Sequence, residues 1–192
     1  MIPDESEALE FHKLAGSSDQ VVRHCKLVAM VSRIIAKGLL EKGQGVDEHI
    51  IYSAALLHDI GRSVTNSILH GVAGARIVER FGCDESIAEI IRRHIGAGIS
   101  IEEAQKYGFP KGDYVPRTLE QKVVCFADKL VSSEKIVPLE REAEKFRRKG
   151  LNVERLYALK ESIRLALGQD PEELVVNKIG ESSLDLNENP FQ

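Results

Sequence analysis

The sequence predicts an all-α protein, and three observations point to that fold class. Apolar residues recur at helical spacing through nearly every segment of the 192-residue chain. Helix N-capping residues and helix-ending glycines alternate along it. Runs of alternating Val, Ile or Thr bounded by turn residues, which would indicate strands, are not found. We therefore expect a helical bundle.

The first two helices are bounded by proline, serine and glycine. The first is expected between Pro3 and Gly16, because proline suits a first turn and glycine a C-terminus. One of the serines at 17–18 caps the second, long helix, which stops at Gly43. His24 falls in the first turns of this second helix.

The third helix carries a histidine and an aspartate at its end. Asp47 is its expected N-cap, and the apolar segment that follows leads into the sequence HDIG. His58 and Asp59 are expected in the last turn, before Gly61 ends the helix.

The next two helices each place one histidine near an end. Asn66 or Ser67 is expected to start the fourth helix, with His70 in its first turn. Asp84 caps the fifth helix, with His94 in its last turn.

Two capping boxes mark the helices that come next. Ser100 and Thr118 each precede a Glu or Gln by three residues, which is the capping-box pattern. A loop rich in Pro, Gly and Asp separates the two helices. The second is predicted through the segment LEQKVVCFADKLVSSEK, with Asp128 about three turns along.

Beyond Pro138 the sequence becomes more charged. The segment LEREAEKFRRKG predicts a helix with a thin apolar seam. Asn152 caps a helix with a fuller apolar face, and Asp170 with Pro171 opens a last short helix. The polar, acidic end of the sequence is expected to be flexible.

Composition favours a soluble, cytoplasmic protein. A net charge of −4 gives no basic field for nucleic acid or an anionic membrane. Apolar runs are too short to span a bilayer, and the acidic N-terminus does not resemble a signal peptide. The three cysteines form no CxxC pair, which argues against a disulfide framework and a thiolate zinc site. We therefore expect neither a membrane nor a nucleic-acid partner.

Six side chains that can ligate a metal lie on five of these helices. They are His24, His58, Asp59, His70, His94 and Asp128. Each of them, taken singly, can also be interpreted as a surface group or as a core residue whose polar atoms are hydrogen-bonded. We adopt that interpretation for His12 and His49. As a set they indicate more, because apolar segments seldom end on adjacent ionisable residues without a function. A bundle that converges them would form a metal site, and imidazole with carboxylate suits Fe, Mn or Zn.

The order of these residues resembles that of the HD-domain metal-dependent phosphohydrolases, in the subset often termed HDIG. The resemblance is carried by His24, HDIG at 58–61, His70, His94 and ADK at 127–129. It covers roughly 17–137, which implies an HD-domain helical bundle over 1–137, including the N-terminal helix. We expect a C-terminal helical extension over 138–179 and a flexible tail over 180–192.

The resemblance also implies a ligand set. A first metal would be held by His24, His58, Asp59 and Asp128. In members with two further histidines, the aspartate of the pair bridges to a second metal, which here implies Asp59 with His70 and His94. Asp59 is therefore also an expected catalytic residue. The segments LHGVAGARI and IRRHIGAG are similar to small bacterial HD proteins that hydrolyse diadenosine tetraphosphate at a di-iron centre.

Basic residues near these motifs are candidates for contact with a phosphorylated substrate. Arg62 and Lys129 are expected to neutralise phosphate charge in the transition state, with solvation at helix ends as the alternative. Arg92 and Arg93 cannot both face the site, and we take Arg93 as substrate-binding. Arg117 in the loop would reach the distal part of the substrate, with surface solvation as the other interpretation.

Two functions remain open at this point. The first is a phosphohydrolase of a nucleotide-type substrate, with two divalent metal ions that activate water. The second is a regulatory protein that binds a nucleotide or metal without turnover and signals through its C-terminal helices. That extension also makes a homodimer plausible.

Overall fold

The computed structural model describes residues 1–185, with side chains through residue 180. These residues form ten α-helices, one short 3-10 helix (Ile60–Ser63) and one small antiparallel hairpin. The helices are α1 Glu5–Ala15, α2 Asp19–Glu41, α3 Glu48–Leu57, α4 His70–Arg80, α5 Glu85–Arg93, α6 Ile101–Lys106, α7 Leu119–Lys129, α8 Leu139–Arg148, α9 Val153–Leu167 and α10 Pro171–Asp185. The hairpin strands are β1 Val131–Ser132 and β2 Lys135–Ile136. The predicted all-α fold class is confirmed.

Side-chain caps set most of the helix starts. The residues whose side chains accept a hydrogen bond from a backbone N–H in the first turn are Asp4, Ser18, Asp47, Asp84, Ser100, Thr118, Asn152 and Asp170. The predicted boxes at Ser100 and Thr118 are both formed. The start predicted at Asn66 or Ser67 is wrong, since α4 begins at His70 after Leu69, which supplies no side-chain cap.

One hydrophobic core joins the helices. The long helix α2 packs against α3, α7, α9 and α10, while α4 packs against α5 and the 3-10 helix. Large side chains such as Phe126, Ile35 and Leu57 are fully buried there, each worth on the order of 1.5–3 kcal/mol of transfer free energy. No helix in the described part of the chain is both long and apolar enough to cross a bilayer.

The predicted seventh helix was too long. It ends at Lys129, and the hairpin occupies the residues that follow. Ser133 at the turn has a left-handed backbone (φ 58°), which a helix does not accommodate. The bond from Val137 N–H to the Leu130 carbonyl (2.8 Å) closes the hairpin.

The three C-terminal helices pack on the rest of the molecule. Apolar residues of α8, α9 and α10 belong to the same core cluster as those of α2 and α7. Helix α10 runs to Asp185 rather than ending near residue 180. The predicted flexible tail over 180–192 therefore begins inside this helix, and from residue 186 it lies outside the described residues.

Candidate metal centre

The fold brings all six predicted ligands together from separate elements. His24 lies in the first turns of α2, and Asp128 in the last turn of α7. His70 is the first residue of α4. His58 and His94 each follow directly on the last residue of α3 and α5, whereas the sequence predicts them inside the last turns of these helices. Helix ends therefore aim the ligands at one point.

The first group of ligands surrounds one oxygen of Asp128. Its Oδ1 lies 3.0 Å from His24 Nε2 and 3.4 Å from His58 Nε2. Asp59 Oδ2 lies 3.9 Å from each of the same two nitrogens. This is the set that the resemblance implies for a first metal.

The second group uses the other oxygen of Asp59. Asp59 Oδ1 lies 3.0 Å from His70 Nε2 and 3.5 Å from His94 Nε2. The two imidazole nitrogens are 3.1 Å apart. Asp59 therefore stands between the two groups with one oxygen toward each, as a bridging carboxylate would.

Backbone carbonyls orient three of the rings in the same way. The Nδ1 atoms of His58, His70 and His94 each hydrogen-bond the carbonyl of the residue three positions earlier, at 2.7–2.8 Å. A carbonyl only accepts, so each Nδ1 carries the proton and donates it, and each Nε2 is directed at the centre. This is the arrangement expected of metal-ligating histidines.

The polar atoms at the centre fit divalent cations. His58 Nε2 and Asp59 Oδ1 are buried without a hydrogen-bond partner in the described chain. The Nε2 atoms of His70 and His94 face each other beside Asp59 Oδ1. Buried polar atoms of this kind are costly unless a positive charge satisfies them. Imidazole and carboxylate donors suit divalent transition-metal ions.

The glycine of HDIG has a steric role. A Cβ at Gly61 would overlap the carbonyl oxygen of His70 and the amide nitrogen of Gly74. The 3-10 helix can therefore approach α4 only if residue 61 is glycine. This close approach sets His70 beside Asp59.

The electrostatics keep the carboxylates ionised. Burial raises the pKa of Asp59, but the imidazoles of His58, His70 and His94 outweigh it and hold the pKa well below its ordinary value. For Asp128, burial is outweighed by Lys129, and the net effect is again a low pKa. Both side chains are therefore available as anionic ligands.

Two of the histidines differ in protonation. Burial lowers the pKa of His94 to about 4, so its ring is neutral at neutral pH. Burial also acts to lower the pKa of His58, but Cys25 and Asp59 outweigh it and raise the pKa well above its ordinary value. Without metal, a proton on His58 supplies the positive charge between the carboxylates.

An open cavity of about 590 Å³ lies over the first group of ligands. Two predicted catalytic cations reach it. Arg62 Nε donates to Asp59 Oδ2 (2.5 Å), and Lys129 Nζ donates to Asp128 Oδ2 (2.5 Å) and to the His94 carbonyl (3.3 Å). Both cations are thus fixed beside the ligands.

The other two predicted substrate-binding residues do not line this cavity. Arg93 binds Glu89 and the Val115 carbonyl on a different face of the molecule. Arg117 is exposed and pairs with Asp113. The structure therefore gives no support to a contact of Arg93 or Arg117 with the substrate.

Sequence reasoning missed part of the cavity wall. Ser132 and Ser133 of the hairpin and Glu142 and Lys145 of α8 all line it. The Ser133 carbonyl also lies 3.4 Å from His24 Nδ1. The apolar seam of α8 shows in the sequence, and residues 142 and 145 lie next to that seam. Nothing in the sequence indicates that α8 packs beside the metal ligands.

The two histidines set aside in the sequence have ordinary places. His12 is buried, and its ring bonds Ser17 Oγ and the Leu56 carbonyl, each at 2.8 Å. His49 is exposed on α3. Neither belongs to the groups of potential ligands in the described chain.

Comparison with known proteins identifies a family. The model of the HD domain family matches residues 21–132, more than half of the chain. Two relatives are named tRNA (cytidine(56)-2'-O)-methyltransferase. That of Picrophilus torridus is 39% identical over 90% of this chain and 50% of its own length. That of Thermoplasma volcanium is 38% identical over 91% and 51%. The chain thus spans about half the length of these two relatives.

A third relative and two solved structures complete the comparison. An uncharacterized protein of Methanocaldococcus jannaschii is 45% identical over 69% of this chain and 78% of its own length. The HD domain of the L. monocytogenes phosphodiesterase PgpH in complex with cyclic-di-AMP has a TM-score of 0.57 at 12% identity, covering 95% of this chain and 98% of that one. A second structure of that domain gives 0.55 at 13%, covering 90% and 98%. At these identities the likeness concerns the fold.

Proposed function

This chain belongs to the HD domain family, and from that premise we propose that it is a metal-dependent phosphohydrolase of nucleotide-type substrates. The bond cleaved would be a phosphoester or a phosphoanhydride. The observation that carries the proposal is the sharing of Asp59 between two groups of ligands. Two cations fixed beside them, Arg62 and Lys129, line the same open cavity.

The residues divide into those that hold metal and those that meet the substrate. His24, His58 and Asp128 would hold one ion, His70 and His94 the other, and Asp59 both. Bound divalent ions lower the pKa of water and stabilise the attacking and leaving oxygens of an in-line displacement. Three of the ligands line the cavity: His24, Asp59 and Asp128. The rings of His58, His70 and His94 are buried and do not line it.

The cations would act on the phosphoryl group. The guanidinium of Arg62 is about one-third exposed, so it can turn a free N–H toward a phosphate oxygen while Nε stays bound to Asp59. Lys129 is almost completely buried, and despite that burial Asp128 raises its pKa to about 12. It therefore carries a fixed positive charge beside the reaction centre.

The comparisons support the substrate class. The solved neighbour is a phosphodiesterase with a cyclic dinucleotide bound, and a phosphodiester of that kind is one member of the proposed class. The resemblance to diadenosine tetraphosphate hydrolases favours an anhydride as another. The finer choice between these substrates stays a prediction.

A second candidate is a nucleotide- or metal-binding regulatory unit without turnover. The observation that favours it is the presence of a similar segment in longer proteins named for methyl transfer to tRNA. In such a protein this unit would bind a ligand and thereby regulate the activity of another part of the chain. The burial of Lys129 beside Asp128 argues against this second candidate, because binding without turnover does not require a fixed cation next to a metal ligand.

A substrate panel separates the two candidates. The protein, reconstituted with Mn²⁺, Fe²⁺ or Zn²⁺, is assayed on nucleoside mono-, di- and triphosphates, dinucleoside polyphosphates, cyclic mono- and dinucleotides and phosphorylated RNA ends. We expect hydrolysis of at least one class, which Asp128→Asn abolishes and Asp113→Asn, outside the cavity, leaves intact. Folded, metal-loaded protein that binds a nucleotide but hydrolyses none would instead favour the regulatory unit.

A further inference from the structure

The predicted extension contributes directly to the candidate active site. Helix α8 buries Leu139, Ala143 and Phe146 in the core, which fixes its rotation about its own axis. With that face buried, Glu142 and Lys145 project into the cavity that also exposes Asp59 and Asp128. The site is thus built from the family's motif residues together with a helix beyond them.

Lys145 differs from the other two cations of the cavity. Arg62 and Lys129 each donate to a carboxylate that we assign as a metal ligand. Lys145 instead pairs with Glu142 (2.7 Å), one turn earlier on the same helix, and is about one-third exposed. Of the Lys and Arg residues that line the cavity in the described chain, Lys145 is therefore the one that contacts no assigned metal ligand.

The charge of the cavity favours an anion with more than one phosphate group. The three cations are balanced by three carboxylates, Asp59, Asp128 and Glu142. Bound divalent ions would then give the cavity a net positive charge. A single phosphate group neutralises only part of that charge, whereas a compound with two or more complements it.

The rest of the lining is suited to phosphates and hydroxyl groups. Polar side chains surround the opening: Ser18, Gln20, Asn66, Ser132 and Ser133. The lining in the described chain contains no Phe, Tyr or Trp, and its one imidazole, His24, is assigned as a metal ligand, so the cavity offers no aromatic side chain free to stack on a base. A volume of about 590 Å³ exceeds what one phosphate group fills.

We propose that Lys145 of α8 forms a subsite for a second phosphate group, so that the substrate is a compound with at least two phosphates, recognised independently of its base. This rests on the proposed function, because the first phosphate would occupy the metal centre. The ion pair with Glu142 holds the ammonium group of Lys145 at the cavity. A second phosphate group that reaches this ammonium would bind it in place of Glu142 or together with Glu142.

The test uses two ligands that cannot be hydrolysed. Methylphosphonate carries one phosphonate group and methylenediphosphonate carries two. Their dissociation constants for the full chain are measured by calorimetry with Mn²⁺ in excess, so that the ligands do not strip the site. The variants are Lys145→Gln and, as a matched control, Arg148→Gln, which removes an exposed charge of the same helix outside the cavity.

We expect Lys145→Gln to weaken methylenediphosphonate binding about tenfold and to leave methylphosphonate binding within about twofold. Arg148→Gln should match the unaltered protein with both ligands. Equal losses in the two variants would indicate a long-range charge effect and overturn the subsite, as would unchanged binding in Lys145→Gln. Binding needs no turnover, so failure of the substrate panel and failure of this subsite are distinguishable.

Discussion

The Nε2 atoms of His70 and His94 lie 3.1 Å apart, and the Nδ1 of each ring already donates to a backbone carbonyl. Both facing nitrogens point at Asp59 Oδ1, which lies 3.0 Å from His70 Nε2 and 3.5 Å from His94 Nε2, so a cation at this place would contact all three atoms. This contact is the observation that most directly supports the proposed second metal ion.

Substitution of single ligands should separate the two metals. Asp59→Ala removes the bridging carboxylate and should abolish activity and the binding of both ions, whereas His70→Ala or His94→Ala should remove mainly the second. The measurement is metal content per chain by elemental analysis. His49→Ala, an exposed histidine, serves as control and should retain full metal content. Equal loss of both metals in His70→Ala would contradict the assignment.

Metal binding should release a proton from the first site. The pKa of His58 is raised well above 6.5, so its ring is protonated in the metal-free protein at neutral pH and must lose that proton to ligate. The pKa of His94 is lowered to about 4, so this ring is already neutral and should release none. First-site affinity should therefore fall as the pH is lowered. Calorimetry in buffers of different ionisation enthalpy at neutral pH should detect about one proton. Detection of no proton release would contradict this account of His58.

Gly61→Ala should disturb the second metal through the backbone. The added Cβ overlaps the carbonyl of His70 and the amide of Gly74, so α4 must move away from the 3-10 helix. We expect a loss of about 1–3 kcal/mol in the free energy of unfolding and reduced second-site occupancy, measured by denaturant unfolding and metal analysis. A suitable control is Gly45→Ala, where the Cβ meets open space. Full metal content and stability in Gly61→Ala would refute the steric role.

Arg62 and Arg117 should differ in their effect on catalysis. Arg62→Gln removes a cation fixed beside Asp59 and should lower kcat/KM about 100-fold, with metal content retained. Arg117→Gln should change kcat/KM less than about twofold, because its side chain is exposed and pairs with Asp113 outside the cavity. Steady-state kinetics on the substrate found in the panel measures both. A large effect of Arg117→Gln would restore the substrate contact that the sequence suggested.

The sequence predicted most elements of the centre because most of the ligands lie at locally marked positions. His70 is the exception, since α4 begins without a side-chain cap. The N-caps Asp47, Asp84 and Thr118 start the helices α3, α5 and α7. His58 and His94 follow the first two of these helices, and Asp128 lies in the third. Capping residues can be recognised in a sequence without knowledge of the fold. In the structure the six residues lie together as three overlapping groups of potential ligands. Asp59 belongs to two of them, and the third consists of His58, His94 and Asp128.

The parts that were missed depend on packing between distant segments. The hairpin after Lys129 has strands of only two residues, too short for a periodic pattern. The position of Lys145 over the centre depends on how α8 packs against the core, which its own sequence does not specify. Arg93 was expected at the site because it precedes His94 in the sequence. Its side chain instead binds Glu89 and the Val115 carbonyl, away from the metal ligands.

We propose above all that this chain holds two metal ions, with Asp59 shared between them. The most direct measurement is elemental analysis of protein purified without chelators and without a metal-binding tag. Close to two transition-metal ions per chain are expected, both restored by Mn²⁺, Fe²⁺ or Zn²⁺ after removal. A single ion that no added metal raises above one per chain would contradict the account and leave His70 and His94 without their assigned role.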